Sequence, residues 1–359
     1  MKDNTVKTIA IIFLIIAIFW LMHILSGVLQ PLALAFLISL LFQPLMEKLS
    51  KWKIPEFIIL PVVTILSLGV LFTIGLIITN SMLDIYQERA FLGERLMSKF
   101  QDWGTSLVNT FHLQKRVAAF QQDIFSVFDF RMLSNLTGGI ISELSDFVAY
   151  FFMFSLYYIM FLVSLRKQDR FIKYVGGGGE RGEKLLKQFK LIHKNVIDYI
   201  NIKSLMGILK GICVYIICIS FGIKFPVFWA FLIYVMNFIP SIGSIIGAVF
   251  PSLMALVQLD SGWGIFFFII LIAGTDSVIG NLVEPIFMGR KMSMNTITVI
   301  LGMVFWGVIW GLTGMILSVP LFVIMRIIFE HIPSLAFLAR LMGSSKDTEL
   351  KGEDAVAKV

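Results

Sequence analysis

Two apolar stretches of this chain carry side chains that could do chemistry: Asp276, Asn281 and Glu284 on one, Lys203 and Lys210 on another. Ionisable groups are costly inside hydrocarbon, and where they occur they mark ion, proton or solute pathways. A buried carboxylate with raised proton affinity can bind a cation or a proton in competition, so Asp276 and Glu284 could serve ion exchange. Asn237, Thr275, Asn281 and backbone exposed at a helix break could instead hydrogen-bond a polyhydroxylated solute. Asn281 and Glu284, three apart, are neighbours on a helix, with Asp276 two turns earlier and close to that face. Lys203 and Lys210, seven apart, share one helical face. Plainer roles exist for each group. Glu284 could pair with Arg290 or Lys291, Asp276 could form a structural ion pair with Lys210, and Lys203 could snorkel to the interface.

The elements that must position these groups are broken ones. Between Asn237 and Gly289, Pro240 and Pro251 each remove a backbone donor, and Gly243 and Gly247 permit close backbone approach. In lipid such breaks persist only where protein or a water-filled cavity satisfies the freed groups, so this stretch should line something. The pattern predicts a hairpin over Phe225–Gln258 that bends near Pro240, then a segment running inward from Trp263 to Glu284 that ends or kinks at Pro285. Thr296–Phe329 predicts two further segments, turning around Gly311 to Gly314 and broken by Pro320. Gly207 and Gly211, Gly243 and Gly247, and Gly307 and Gly311 share a spacing that favours tight helix packing. The second half therefore reads as a packed core and the first half as a looser frame.

Composition sets the surroundings. With 58% hydrophobic and 15% charged residues in 359 and a mean hydropathy of +0.88, the chain is too apolar for a soluble domain, and an all-α multispanning membrane protein with about eight segments is expected. The net charge of +7 comes from basic loops between apolar runs and is no nucleic-acid signal. Residues 1–80 read as a scaffold of three spans, the first over Thr8–Leu29, with Pro31 marking the turn into the second. Residues 81–146 are acidic enough for the outer side, and Leu92, Leu96, Phe100, Trp103, Leu107 and Phe111 form an apolar helical stripe there. A fourth span covers 147–165, and 166–200 is a strongly basic cytoplasmic loop ending in an amphipathic helix from Glu183 to about Tyr199. Residues 201–330 form the core and 331–359 a polar cytoplasmic tail, so both termini face the cytoplasm.

Several function classes are excluded. Gly176 to Gly179, followed by Glu180, is not a phosphate-binding loop, because Glu183 stands where that motif needs lysine and no strand precedes it. His23, His112, His193 and His331 form no metalloprotease motif, one deep aspartate cannot serve an aspartyl protease, and no histidine matches Ser244 in depth. Cys213 and Cys218 lie in an apolar run and suit packing. Neither a cofactor nor a metal site is expected, and the chain does not read as an enzyme.

Three elements together resemble the autoinducer-2 exporter family of bacterial membrane proteins: Ile239-Pro240-x-x-Gly243 with Gly247 and Pro251, Asn281-x-x-Glu284-Pro285-x-x-x-Gly289, and Trp310-Gly311-x-x-Gly314 followed by Val319-Pro320-Leu321. The resemblance extends from the first span to Glu330. It implies a secondary transporter of the cytoplasmic membrane in which the C-terminal core moves substrate against an N-terminal scaffold, assembled as a homo-oligomer, with a pentamer expected. It also implies one of two cargoes, an autoinducer-2-like solute or sodium or lithium exchanged for protons; a channel is a third possibility. In that setting Lys210, Asn237, Pro240, Gly243, Asp276, Asn281 and Glu284 are the candidate pathway residues, and Gly247, Pro251, Pro285, Gly289, Gly311, Gly314 and Pro320 the candidate hinges.

Overall fold

A chain this apolar must satisfy its backbone hydrogen bonds internally, and helices do so within a single segment. In the computed structural model, which describes residues 2–88, 91–95, 98, 99, 140–164, 168–240, 242–288, 295–331 and 335–343, the regular elements are helices. They are α1 (Lys2–Ile24), α2 (Ser26–Lys51), α3 (Glu56–Gln87), α4 (Ile140–Ser164), α5 (Gln168–Val175), α6 (Gly179–Ser220), α7 (Pro226–Met236), α8 (Ile242–Gln258), α9 (Gly262–Met288, π-helical over Ser277–Val283), α10 (Thr296–His331) and α11 (Ala336–Met342). Among the described residues five helices are long and apolar enough to cross a membrane, and three shorter apolar ones accompany them.

The first half packs α2, α3 and α4 around Ala35, Met46, Ile59, Val63, Tyr158 and Leu162. The second half packs α6, α7, α8 and α9 around Val214, Cys218, Trp229, Ile233, Ala255, Phe268 and Ile272. The halves meet where Leu40 of α2 lies with Tyr199 and Ile200 of α6 and Val319, Val323 and Ile327 of α10. Glycine decides how closely the second half packs. Gly207 faces the ring of Tyr234 and Gly211 the carbonyl of Ala230, so α7 lies directly against α6.

Two hairpins form, as the breakers predict. The first joins α7 to α8 through Asn237–Pro240, and there Gly243 lies so close to the carbonyl of Met236 that a Cβ would overlap it. The second is hidden inside α10, where Gly311 adopts φ 61° and ψ −141° and turns the chain back on itself. Gly302 then faces Phe322, Gly307 faces Met315 and Gly314 faces the carbonyl of Trp306. That second tip rests on the start of the chain: Trp310 Nε1 donates to Met22 O at 3.0 Å and Gln30 Nε2 donates to Trp310 O at 3.2 Å. The two hairpins touch through Met236, Ile239 and Met303.

Several boundaries differ from expectation. The break between the first two helices is at Leu25 (φ −84°, ψ 14°), and Pro31 lies inside α2. The amphipathic helix from Glu183 and the span from Ile200 are one helix of 42 residues, because no breaker separates them. Pro251 and Pro320 are also carried within helices, and Gly247 and Gly314 occupy close-contact positions. At Gly177, Gly178 and Gly179 the φ values of 79°, 70° and 55° make the turn between α5 and α6, where Lys173 and Glu183 pair at 2.5 Å. Most of the predicted outer stripe, from Leu96 onward, lies outside the described residues, as do Gly289, Arg290 and Lys291.

Candidate functional site

Helices α6 and α9 run antiparallel and exchange two ion pairs. Lys210 Nζ meets Asp276 Oδ1 at 2.6 Å, and Lys203 Nζ meets Glu284 Oε1 at 2.5 Å. The Lys210 side chain is only 4% exposed and that of Asp276 28%, so the carboxylate opens to a space that the ammonium does not. Both members of the inner pair are enclosed. A buried ammonium or carboxylate without a partner is strongly destabilising, which is why these four groups come together.

The first hairpin closes one side of this seam. Asn237, buried at its tip, donates from Nδ2 to Lys203 O at 3.0 Å. Between the tip, α8 and α9 lies a narrow cleft lined by Lys210, Asn237, Gly243, Ser244, Thr275 and Asp276, among others. It encloses about 280 Å³ of empty space including the part open to solvent, within which about one water-sized body fits. The hydroxyls of Tyr199 and Ser204, both buried on α6 beside Lys203, have no hydrogen-bond partner among the described residues. The seam is thus polar from Tyr199 to Lys210 on α6, in the part of that helix where the chain turns apolar.

The local fold at Glu284 is unusual. The residues Ser277–Val283 form a π-helix, and the Glu284 backbone N–H donates to the carbonyl of Ile279, five residues back. Pro285 was expected to end or kink the helix at Glu284, yet α9 continues to Met288. The wider π turn carries the chain past a proline that offers no N–H.

Of the predicted pathway residues, the structure brings together Lys210, Asn237, Gly243, Asp276 and Glu284, with Pro240 in the hairpin turn above them. Asn281 is exposed and lies outside the seam. Glu284 takes Lys203 as a partner; Arg290 and Lys291, suggested as its partners, lie outside the described residues. The sequence reading offered Lys203 no partner beyond the interface and did not single out Gly280. A Cβ on Gly280 would stand 3.0 Å from Lys210 Nζ and 3.8 Å from Asp276 Oδ1, so its lack of side chain makes room for the ammonium. The only hint was a glycine one turn after an intramembrane acid.

At the opposite end of the bundle, charged groups tie the segment after α3 to the core. Lys224 Nζ bonds both Glu88 oxygens at 2.8 Å, Arg95 meets Asp260 at 3.0 Å, Lys99 meets Asp260 at 3.2 Å, and Lys99 donates to Leu259 O. The Arg95 and Lys99 cations hold the Asp260 carboxyl below its ordinary range.

Comparison with known proteins fits this architecture. The profile of the AI-2E family transporters matches residues 9–334. The chain belongs to the AI-2E transporter family. A candidate transport protein of Haemophilus influenzae is 27% identical over 328 residues, 90% of this chain and 92% of its own length. The AI-2 transport protein TqsA of Escherichia coli is 23% identical over 340 residues, 91% of this chain and 93% of its own. A second candidate transport protein, from Borreliella burgdorferi, is 26% identical over 355 residues. As a family member, this chain is a membrane transporter.

Proposed function

We propose that this AI-2E family member is a secondary transporter of the bacterial cytoplasmic membrane that moves a small polar solute by alternating access, with the α6–α9 seam and the first hairpin tip as its pathway. The observation that carries this reading is the Lys210–Asp276 pair opening onto a cleft with Asn237, Ser244 and Thr275. A carboxylate held by an ammonium can exchange that partner for a proton, a cation or a hydrogen-bonding solute, and each exchange changes what holds α9 to α6. An autoinducer-2-like solute, rich in hydroxyls, suits the donors and acceptors there, and the name of the Escherichia coli relative is consistent with it.

A second reading is exchange of sodium or lithium for protons. Its support is size: the cleft admits about one water-sized body, which suits an unclad cation or a proton carrier better than a polyol. We further propose about eight membrane segments, α1, α2, α3, α4, α6 and α9 together with the two hairpins α7–α8 and α10, with both termini cytoplasmic. In this arrangement residues 1–80 with 147–165 form the scaffold, 201–330 the transport core, and 81–146 an outer segment. Assembly as a homo-oligomer, a pentamer by the motif resemblance, completes the proposal.

Proteoliposomes holding the purified protein test it. A pH gradient is imposed and sodium, lithium, potassium or nothing is added, and labelled autoinducer-2 uptake is followed in the same vesicles. Saturable solute uptake with counterflow, lost in Asp276→Asn, supports the first reading. Cation-dependent collapse of the gradient with the same dependence on Asp276 supports the second, and unsaturable flux without counterflow would replace both with a channel.

A further inference from the structure

Lys203 and Lys210 are seven residues apart on α6, whereas their partners Glu284 and Asp276 are eight apart on α9. On regular α-helices the spacings do not match. At about 100° per residue, seven steps fall about 20° short of two turns and eight overshoot by about 80°. Glu284 on a regular helix would therefore point well away from Lys203 when Asp276 meets Lys210. Both contacts nevertheless form. The π-helical turn Ser277–Val283 lies between the two acids, and the Glu284 N–H bond to Ile279 O skips the extra residue. A single π turn accommodates one residue more than the α-helix on either side of it.

We propose that this π turn is a one-residue register shift that brings Glu284 of the transport seam onto the face of Asp276, and that Gly280 within it is a positioning residue for Lys210. The turn returns Glu284 to the face of Asp276, so two pairs replace one. Gly280 sits at the point where a side chain would meet the Lys210 ammonium, which keeps that ammonium on Asp276. The shift also makes the pairs separable. If the turn relaxes to α-helix, everything after it rotates by about 100°, and Glu284 leaves Lys203 while Asp276, ahead of the turn, stays in place. For its consequence in transport this inference rests on the seam being the pathway; for the register it does not.

The test removes the extra residue. Leu282 is exposed, so its deletion from the full-length protein removes little packing and leaves the acids seven apart, the spacing of the two lysines. Register is read by thiol cross-linking with a short bis-methanethiosulfonate in a Cys213→Ala/Cys218→Ala background, using either Lys203→Cys with Glu284→Cys or Lys210→Cys with Asp276→Cys. The expected result is that both pairs cross-link in the parent and both still do after deletion. Loss of the Lys203→Cys/Glu284→Cys link on deletion, with the other link kept, would overturn the proposal, because it would mean that eight was already the working register.

Gly280→Ala is the second arm. It is expected to lower transport about tenfold and to move the pH at which transport is half-maximal, while leaving the inner cross-link intact. Unchanged transport and an unchanged pH profile would remove Gly280 from the proposal. If Asp276→Asn transports normally while the cross-links behave as expected, the register shift stands and the pathway reading falls.

Discussion

The side-chain amide of Asn237 reaches from the tip of the first hairpin to the carbonyl of Lys203 in the middle of α6, at 3.0 Å. One hydrogen bond thereby fixes the hairpin tip beside the residue that holds Glu284. The hairpin, the long helix and the π-broken helix thus meet along a single polar stretch.

Breaking the outer pair should separate stability from transport. Asp276→Asn leaves the Lys210 ammonium buried without a counter-charge, and a cost of about 3–5 kcal/mol is expected, read as a lowered unfolding midpoint in detergent. Lys210→Met combined with Asp276→Leu should recover most of that loss. Transport should stay abolished in both, which a purely structural ion pair would not require.

Asn237→Leu should be mild for folding. The Lys203 carbonyl keeps its place in the helical ladder, so the loss is that of one hydrogen bond, about 1 kcal/mol. Transport should fall far more than this figure suggests, because the hairpin tip loses its anchor at the cleft. Uptake at saturating and subsaturating substrate distinguishes a binding defect from a turnover defect.

The glycines divide into two groups. Gly243→Ala and Gly314→Ala place a methyl group on the backbone carbonyls of Met236 and Trp306, and overpacking of about 1–3 kcal/mol or more should follow. Gly311→Ala is penalised for its left-handed backbone at φ 61° even though the space around it is open. Gly274→Ala, with nothing near its Cα face, should be neutral or slightly stabilising, since alanine is the better helix former. Thermal unfolding of the four variants under one condition checks the ranking.

The clasp at the other end of the bundle should open in acid. Asp260 has a folded pKa lowered by Arg95 and Lys99 from the ordinary 3.8, so its contribution is present at pH above that value and is lost as pH falls through the lowered one. Hydrogen exchange in the segment around Arg95 should therefore be unaffected by this group between neutral pH and about pH 5, and rise only in stronger acid. Asp260→Asn should show the open behaviour at every pH and weaken with added salt less than the parent does.

How much of this was legible beforehand follows from what local chemistry controls. Apolar content fixed the class of protein, since no soluble fold could hide so much hydrocarbon surface. The breakers at Pro240 and Gly311 located both hairpin turns, because a missing donor or a left-handed backbone is a property of the residue itself. Pro31 and Pro320 misled for the complementary reason: whether a helix tolerates a proline depends on what surrounds the freed carbonyl, which is not local. The long helix α6 joined a predicted loop helix to a predicted span because charge pattern reports the surroundings of a helix and not its ends.

The acids and lysines were visible as a set, and Lys210 with Asp276 was foreseen as a possible pair. Only the tertiary structure assigned Glu284 to Lys203, turned Asn281 outward and gave Gly280 a purpose. Spacing along one helix says which residues share a face, but pairing between two helices depends on their relative register, and a π turn changes that register by one residue without leaving a reliable mark in the sequence. The sequence by itself determined an all-helical transporter with charges in its core and two turns; the structure decided which charges meet, because that is settled by packing between segments far apart in the chain.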